Sequence, residues 1–375
     1  MRKGLCISVF KRFDDKISTT QASIFLNNSV LGAGILTLPR SVTEAVKTPD
    51  IWISVLLGGC IAILVTVFMV KLSQQFPDNT IYQFSRRIAG TFTGGALSLF
   101  LIIYFVVGAG FEIRVLAEIN MFFLLERTPI WAIMIPFIWL GAYVIFGGIN
   151  SLARIYEIIF PMTIIILLIS FLLSLKLFEL DNLRPVMSEG VLPILKGIKP
   201  TILVFTGCEV VMILVVNMQH PERAVKAMIA GISIPFALYL FTVIVVIGGM
   251  STDAVLNSTW SMIDILRSFE ISGLIFERYE FPFLVIWMMQ LFCSFTSFYY
   301  NATLGLSQVF RIKPYPVIFG LIPAVYVTAM LPKRINDVFK MGEWIGGMGI
   351  TLFFLLPVML AVILVIRKKG LKQHV

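Results

Sequence analysis

The stretch Asn27-Asn28-Ser29-Val30-Leu31-Gly32-Ala33-Gly34-Ile35-Leu36-Thr37-Leu38-Pro39 decides the fold. It lies inside a long apolar run, and its two glycines, one residue apart, weaken a helix there. Backbone groups freed in lipid cost several kcal/mol unless protein, water or a ligand satisfies them. A break here therefore implies a cavity. The amides of Gly34 and Ile35 would head the second half-helix and favour an anion such as a carboxylate. The carbonyls of Val30 and Leu31 would end the first half and favour a cation. The alternative is close helix packing on small residues.

A second interruption lies far along the chain, at Val204-Phe205-Thr206-Gly207-Cys208-Glu209-Val210-Val211. Counted from Pro200, Glu209 is about 14 Å into its span at 1.5 Å per residue, near mid-bilayer. A carboxylate at that depth costs at least about 2.5–3.5 kcal/mol on insertion scales and usually marks a pathway or a site. Glu209 is thus the leading functional candidate. A hydrogen-bonded structural carboxyl facing a neighbouring helix is the alternative.

The rest of the chain fits these two features. Its 375 residues are 58% hydrophobic and only 14% charged, with a mean hydropathy of +0.93. Soluble domains run nearer 45–50% apolar and about 25% charged, so a soluble enzyme, a disordered chain and a disulfide scaffold are excluded. Ten helical spans are predicted at about 19–46, 50–70, 95–119, 130–147, 153–177, 198–216, 227–250, 281–304, 315–331 and 341–366. The predicted fold is an all-α integral membrane protein. The interruptions fall in the first and sixth spans, at corresponding places in two five-span halves. That order points to a five-plus-five inverted repeat with a ligand between the broken helices. No residue-level repeat supports it. The predicted organisation is one membrane domain, residues 1–375: a cytoplasmic segment 1–18, halves 19–177 and 198–366, and a cytoplasmic tail 367–375.

The net charge is +9, with 30 Lys+Arg against 21 Asp+Glu. With the N-terminus inside, cytoplasmic segments hold 17 basic residues and outer segments 12, Arg114 falling within the third span. This bias puts both ends in the cytoplasm and assigns the excess charge to topology and anionic lipid of the bilayer, not to nucleic acid. The apolar stretch after the basic start carries Asn27 and Asn28 and lacks a clear small-residue cleavage site, so it reads as a membrane helix and not a signal peptide. Cys6, Cys60, Cys208 and Cys293 show neither metal spacing nor a disulfide framework.

Two connectors look structured. Residues 77–90 read as a capped amphipathic helix with Ile81, Phe84 and Ile88 on one side. Residues 251–280 carry a second helical stretch with Trp260, Ile263, Ile265, Leu266 and Phe269. Each is a gate or simply lies on the bilayer.

Other candidates are weaker. In the eighth span Gln290, Ser294, Ser297 and Asn301 share one helix face and could line the cavity beside Ser23 and Asn27, or form interhelical hydrogen bonds. The third span carries Glu112, Arg114 and Glu118. Counted from Gly95, Glu112 lies about 26 Å along the helix, which places the trio near the outer interface as a structural group with an Arg114–Glu118 pair. Tyr104 and Gly108, nearer the middle, are the pocket candidates of that span. No pattern points to catalysis, a metal or a cofactor: His220 and His374 fall in cytoplasmic segments, and phosphate-binding loops are absent.

Four stretches carry a family resemblance. They are Ile17-Ser18-Thr19-Thr20-Gln21 running into Leu31 to Pro39, Phe76-Pro77-Asp78-Asn79-Thr80-Ile81-Tyr82-Gln83-Phe84-Ser85, Gly207 through Glu209 to His220-Pro221, and Glu277-Arg278-Tyr279-Glu280 leading to Trp287. The chain resembles the B subunits of nutrient germinant receptors, the spore germination protein family within the amino acid–polyamine–organocation superfamily. The resemblance spans nearly the whole chain. It implies a transporter-like fold in the inner membrane of dormant spores, a nutrient ligand such as an amino acid, and partner A and C subunits. It maps the ligand pocket onto Gly32, Ala33, Gly34, Thr206 and Gly207.

Two functions from different classes follow. One is a nutrient-sensing receptor subunit; the other is a proton- or sodium-coupled amino-acid permease, with Glu209 as a proton carrier. A purely structural membrane anchor for partners is the third. The ligand site expected for either of the first two comprises Val30, Leu31, Gly32, Ala33, Gly34, Ile35, Tyr104, Gly108, Phe205, Thr206, Gly207, Glu209, Gln290 and Ser294.

Overall fold

Apolar helices separated by glycines, prolines and short polar turns build the protein. A computed structural model describes residues 16–125, 127–268 and 280–372. In chain order the helices are α1 (Thr19–Val30), α2 (Gly34–Val46), α3 (Ile51–Ser73), α4 (Ile81–Ala89), α5 (Thr91–Phe123), α6 (Ile130–Phe146), α7 (Gly148–Ser174), α8 (Val191–Leu203), α9 (Val211–Leu214), α10 (Ala224–Asn257), α11 (Ser261–Arg267), α12 (Glu280–Phe310), α13 (Pro314–Met330), α14 (Ile335–Ile350) and α15 (Leu356–Lys372). By length and composition, six helical stretches are long and apolar enough to cross a membrane. Two more spans are bent pairs: α1 with α2, at 50°, and α8 with Cys208–Asn217, at 52°. With the shorter apolar helices α6 and α13 this makes ten, in the expected order and with breaks in the expected first and sixth spans.

Local chemistry sets the boundaries. Ser18 caps α1 in a capping box with Gln21, and Thr80 caps α4 with Gln83. Gly148, at φ 76°, makes the turn between the fourth and fifth spans, a conformation that glycine adopts without strain. The seventh span ends where Ser251 departs from helix, at φ 65°. The tenth span is continuous through α14 and α15, but Thr351–Leu355 forms a π-turn between them.

Both connector helices pack onto the protein. Ile81, Phe84 and Ile88 of α4 are buried, and so are Trp260, Ile263, Ile265 and Leu266 around α11. Neither merely lies on the bilayer. Phe269, like Glu277, Arg278 and Tyr279, lies outside the described residues. The Ile17 amide donates to the Asn217 carbonyl (2.8 Å), and the Gln219 amide donates to the Ile17 carbonyl (2.9 Å). The entry to the first span is thereby tied to the exit of the sixth.

The third and eighth spans, α5 and α12, form the largest helix–helix contact. At 33 residues α5 is about 50 Å long, well beyond a hydrocarbon core of about 30 Å. Position along α5 therefore does not fix depth, and the expected outer placement of Glu112 is wrong. Glu112 is buried at the break of the first span. The other half of that expectation holds: Arg114 and Glu118 pair at 2.7 Å.

Candidate functional site

The first break opens between Val30 and Gly34, where Gly32 donates back to the Val30 carbonyl at 2.8 Å. Side chains from other spans reach both of its poles. At the carbonyl pole, the Gln290 amide of α12 donates to the Leu31 carbonyl (2.7 Å) and the Asn28 carbonyl (3.2 Å). Ser294 donates to Ser29 O at 3.2 Å, and the Ser29 and Ser297 hydroxyls bond at 2.7 Å. The Tyr239 hydroxyl of α10 donates to Val30 O at 2.8 Å. At the amide pole, the Ala33 amide donates to the Glu112 carboxylate at 3.2 Å.

This differs from the sequence expectation in two ways. The amide that meets a carboxylate is that of Ala33, the N-cap of α2, one residue before the expected Gly34 and Ile35 at the head of the helix. The anion there is the protein's own. The carbonyls of Val30 and Leu31, expected to meet a cation, accept from Tyr239 and Gln290 instead. Gly32 is closely packed by side chains: a Cβ would stand 2.5 Å from Glu112 Oε1 and 2.6 Å from Ser294 Oγ.

The second break runs through Val204–Gly207. Gly207 sits at φ 104°, and a Cβ there would stand 2.4 Å from the Ser29 carbonyl oxygen. The two breaks are therefore in backbone contact. Glu209 follows in a tight 3₁₀ turn, Cys208–Val210. Its Oε1 accepts from the Gly207 amide at 2.9 Å and from the Tyr104 hydroxyl. Its Oε2 is buried without a hydrogen-bond partner. Tyr239 joins the breaks, since its hydroxyl also lies 3.2 Å from the Val204 carbonyl.

Around Glu209, Ile202, Phe205, Thr206, Gly349, Ile350 and Phe353 line a narrow seam between the sixth and tenth spans, without room for a free water molecule. Among the described residues Arg114 is the one buried basic side chain, and it pairs with Glu118. Glu112 and Glu209 thus lack a basic partner.

Most of the expected residues converge here. Val30, Leu31, Gly32, Ala33, Gly34, Tyr104, Phe205, Thr206, Gly207, Glu209, Gln290 and Ser294 all belong to the two breaks or touch them. Phe205 stacks edge-on with Tyr239, ring centroids 5.3 Å apart. Ile35 is buried within α2 beyond the pole. Gly108 serves close packing: a Cβ would meet the Phe298 ring at 2.6 Å. Sequence reading missed Tyr239, the seat of Glu112 at the break, and the tenth-span wall. A buried tyrosine hydroxyl needs a partner, which is the signal Tyr239 offered. Glycines 346, 347 and 349 hinted at the wall.

The family model of the spore germination protein matches residues 16–338. The chain belongs to the spore germination protein family. It is 48% identical over 357 residues to spore germination protein YndE of Bacillus subtilis (strain 168), covering 95% of this chain and 98% of that one. Spore germination protein A2 of the same organism is 35% identical, over 94% of this chain and 97% of its own length. Among solved structures, MhsT in complex with L-phenylalanine superposes with a TM-score of 0.69, covering 94% of this chain and 99% of that one at 12% identity. A Na+-coupled sialic acid symporter in its substrate-bound outward-open state gives 0.66, covering 91% and 78%, again at 12% identity. At that identity the likeness is of fold. This member of the germination family is therefore a multi-pass membrane protein with an all-α, transporter-like architecture. Family and fold are those of permease-like membrane proteins, not of enzymes.

Proposed function

We propose that this chain is the nutrient-sensing membrane subunit of a spore germinant receptor. An amino acid is the ligand class, and binding triggers germination of the endospore. The observation that carries this reading is the meeting of two broken spans, with two buried carboxylates that lack basic partners. Uncompensated carboxylates inside a membrane protein usually mark a ligand or ion site. The pocket comprises the poles of the two breaks together with Tyr104, Thr206 and Glu209. Partner A and C subunits relay the signal at the spore inner membrane, with both termini cytoplasmic. Nutrient binding shifts a conformational equilibrium, which requires different affinities for the two states.

The likeness to a sodium-coupled symporter supports a second reading, an ion-driven amino-acid permease. Deleting the reading frame in its spore-forming host separates the two. Loss of germination on particular amino acids, with uptake by growing cells unchanged, is expected. Impaired uptake with germination intact would instead identify a permease.

A further inference from the structure

At the first break Glu112 holds the Ala33 amide, ahead of the Gly34 and Ile35 amides that head α2, and Gln290 and Tyr239 hold the carbonyls of Leu31 and Val30. The Phe205 carbonyl, a further acceptor for a ligand ammonium, accepts the Cys208 amide at 3.2 Å. Three buried side-chain oxygens in and beside the breaks have no donor, Asn27 Oδ1, Asn28 Oδ1 and Glu209 Oε2, and of these only Glu209 Oε2 belongs to a carboxyl group.

The geometry points to Glu209 Oε2 as the seat of an organic ammonium group. This rests on the nutrient-receptor reading and specifies how that site recognises its ligand: by the positive pole. Among the described residues no buried basic side chain is paired with Glu209, and a carboxylate ionised there without a partner is strongly unfavourable. Its other oxygen is already fixed by the Gly207 amide and Tyr104, and Glu209 itself lines the seam. The walls are apolar and aromatic, from Ile202, Phe205, Ile350 and Phe353. Such walls suit the carbon substituents of an amine and the faces of a cationic group. Glu112 already occupies the Ala33 amide at the first break, so the seat at Glu209 reads the ammonium and not the carboxylate of the nutrient.

The seam is closed in this conformation, so binding requires the tenth span to move away from the sixth. The π-turn at Thr351–Leu355 lies next to the seam and gives that span a local irregularity where such movement is least costly. Ligand entry and helix movement are then one event, as a receptor needs.

The test uses spores carrying the full chain and the standard amino acids, each compared with its amide and its 2-hydroxy acid. For an amino acid that triggers germination through this subunit, the amide is expected to trigger or compete, and the 2-hydroxy acid to do neither. Glu209→Gln is expected to raise the half-maximal concentration about tenfold or more, the loss of one charged contact, at unchanged subunit abundance in spore membranes. A normal dose response of Glu209→Gln at normal abundance would overturn the seat while leaving the receptor reading intact. So would a 2-hydroxy acid as potent as its amino acid. If Glu209→Gln changed only a requirement for potassium or sodium, tested by exchange for choline, the occupant would be an inorganic cation and the ammonium assignment would fail. Failure of every amino acid to act through this subunit would overturn the receptor reading itself. Thermal unfolding of the purified wild-type chain in detergent decides the matter if the variant does not accumulate. Stabilisation by the amides and not by the 2-hydroxy acids is expected, and the reverse order would refute the seat.

Discussion

The two broken spans solve one physical problem in opposite ways. In the first, side chains from three other spans take up the Ala33 amide and the carbonyls of Ser29, Val30 and Leu31: Glu112 on α5, Tyr239 on α10, and Gln290 and Ser294 on α12. In the sixth, Glu209 folds back onto the Gly207 amide of its own break and keeps one carboxylate oxygen unpaired. The first break is held chiefly as a structural joint between spans. The second keeps polar capacity in reserve, in a seam with walls from two spans. A bent helix pair is therefore not by itself a binding site; what matters is which of its polar atoms remain unspent.

The largest expected effect tests the backbone contact between the breaks. Gly207→Ala places a Cβ at φ 104°, which costs roughly 1–3 kcal/mol of strain. It also drives that carbon against the Ser29 carbonyl oxygen, a backbone atom that cannot swing aside. Gly32→Ala meets only the tips of Glu112 and Ser294, which can rotate away. Thermal unfolding in detergent should show Gly207→Ala as much the less stable, with poor accumulation in membranes. Equal losses for the two variants would refute this account of the contact.

Next in size is the contrast between Gln290 and Glu209. Gln290→Leu leaves the carbonyls of Asn28 and Leu31 without that donor in a buried site, a loss of about 1–3 kcal/mol. Glu209→Gln removes a buried charge that has no basic partner and keeps an oxygen to accept from Gly207 and Tyr104. Its melting temperature should be unchanged or higher. A fall as large as that of Gln290→Leu would mean that Glu209 is a structural carboxyl and that the two breaks are alike.

The sequence carried the architecture for identifiable reasons. Long apolar runs mark spans without reference to neighbours, and Gly32, Gly34 and Gly207 mark breaks because little else interrupts a helix in lipid. The polar stripe of α12 was legible as a face, since residues three and four apart line up whatever they touch. The partners of the breaks were not legible. Glu112 was assigned to the outer interface by counting along a helix much longer than the bilayer is thick. Tyr239 and the tenth-span wall depend on the rotation of their helices, which no local pattern encodes. The π-turn at Thr351–Leu355 has no glycine or proline within it, and Pro357 just beyond, which has no amide to donate back to Phe353, was the local sign of it.

The smallest expected effect concerns the one side chain that touches both breaks. The Tyr239 hydroxyl has a single proton, directed at Val30 O (2.8 Å), with Val204 O further away (3.2 Å). Tyr239→Phe keeps the ring against Phe205 and removes one shared hydrogen bond, which costs about 0.5–1.5 kcal/mol. If the breaks are joined mainly through backbone contact at Gly207 and Ser29, the loss should simply add to that of Gln290→Leu in a double-mutant cycle, within about 0.5 kcal/mol. A larger coupling would mean that Tyr239 and Gln290 hold the carbonyl pole as one unit. The first break would then shift as a whole when the second admits its ligand, and the division into a fixed joint and a working seam would give way to a single moving element.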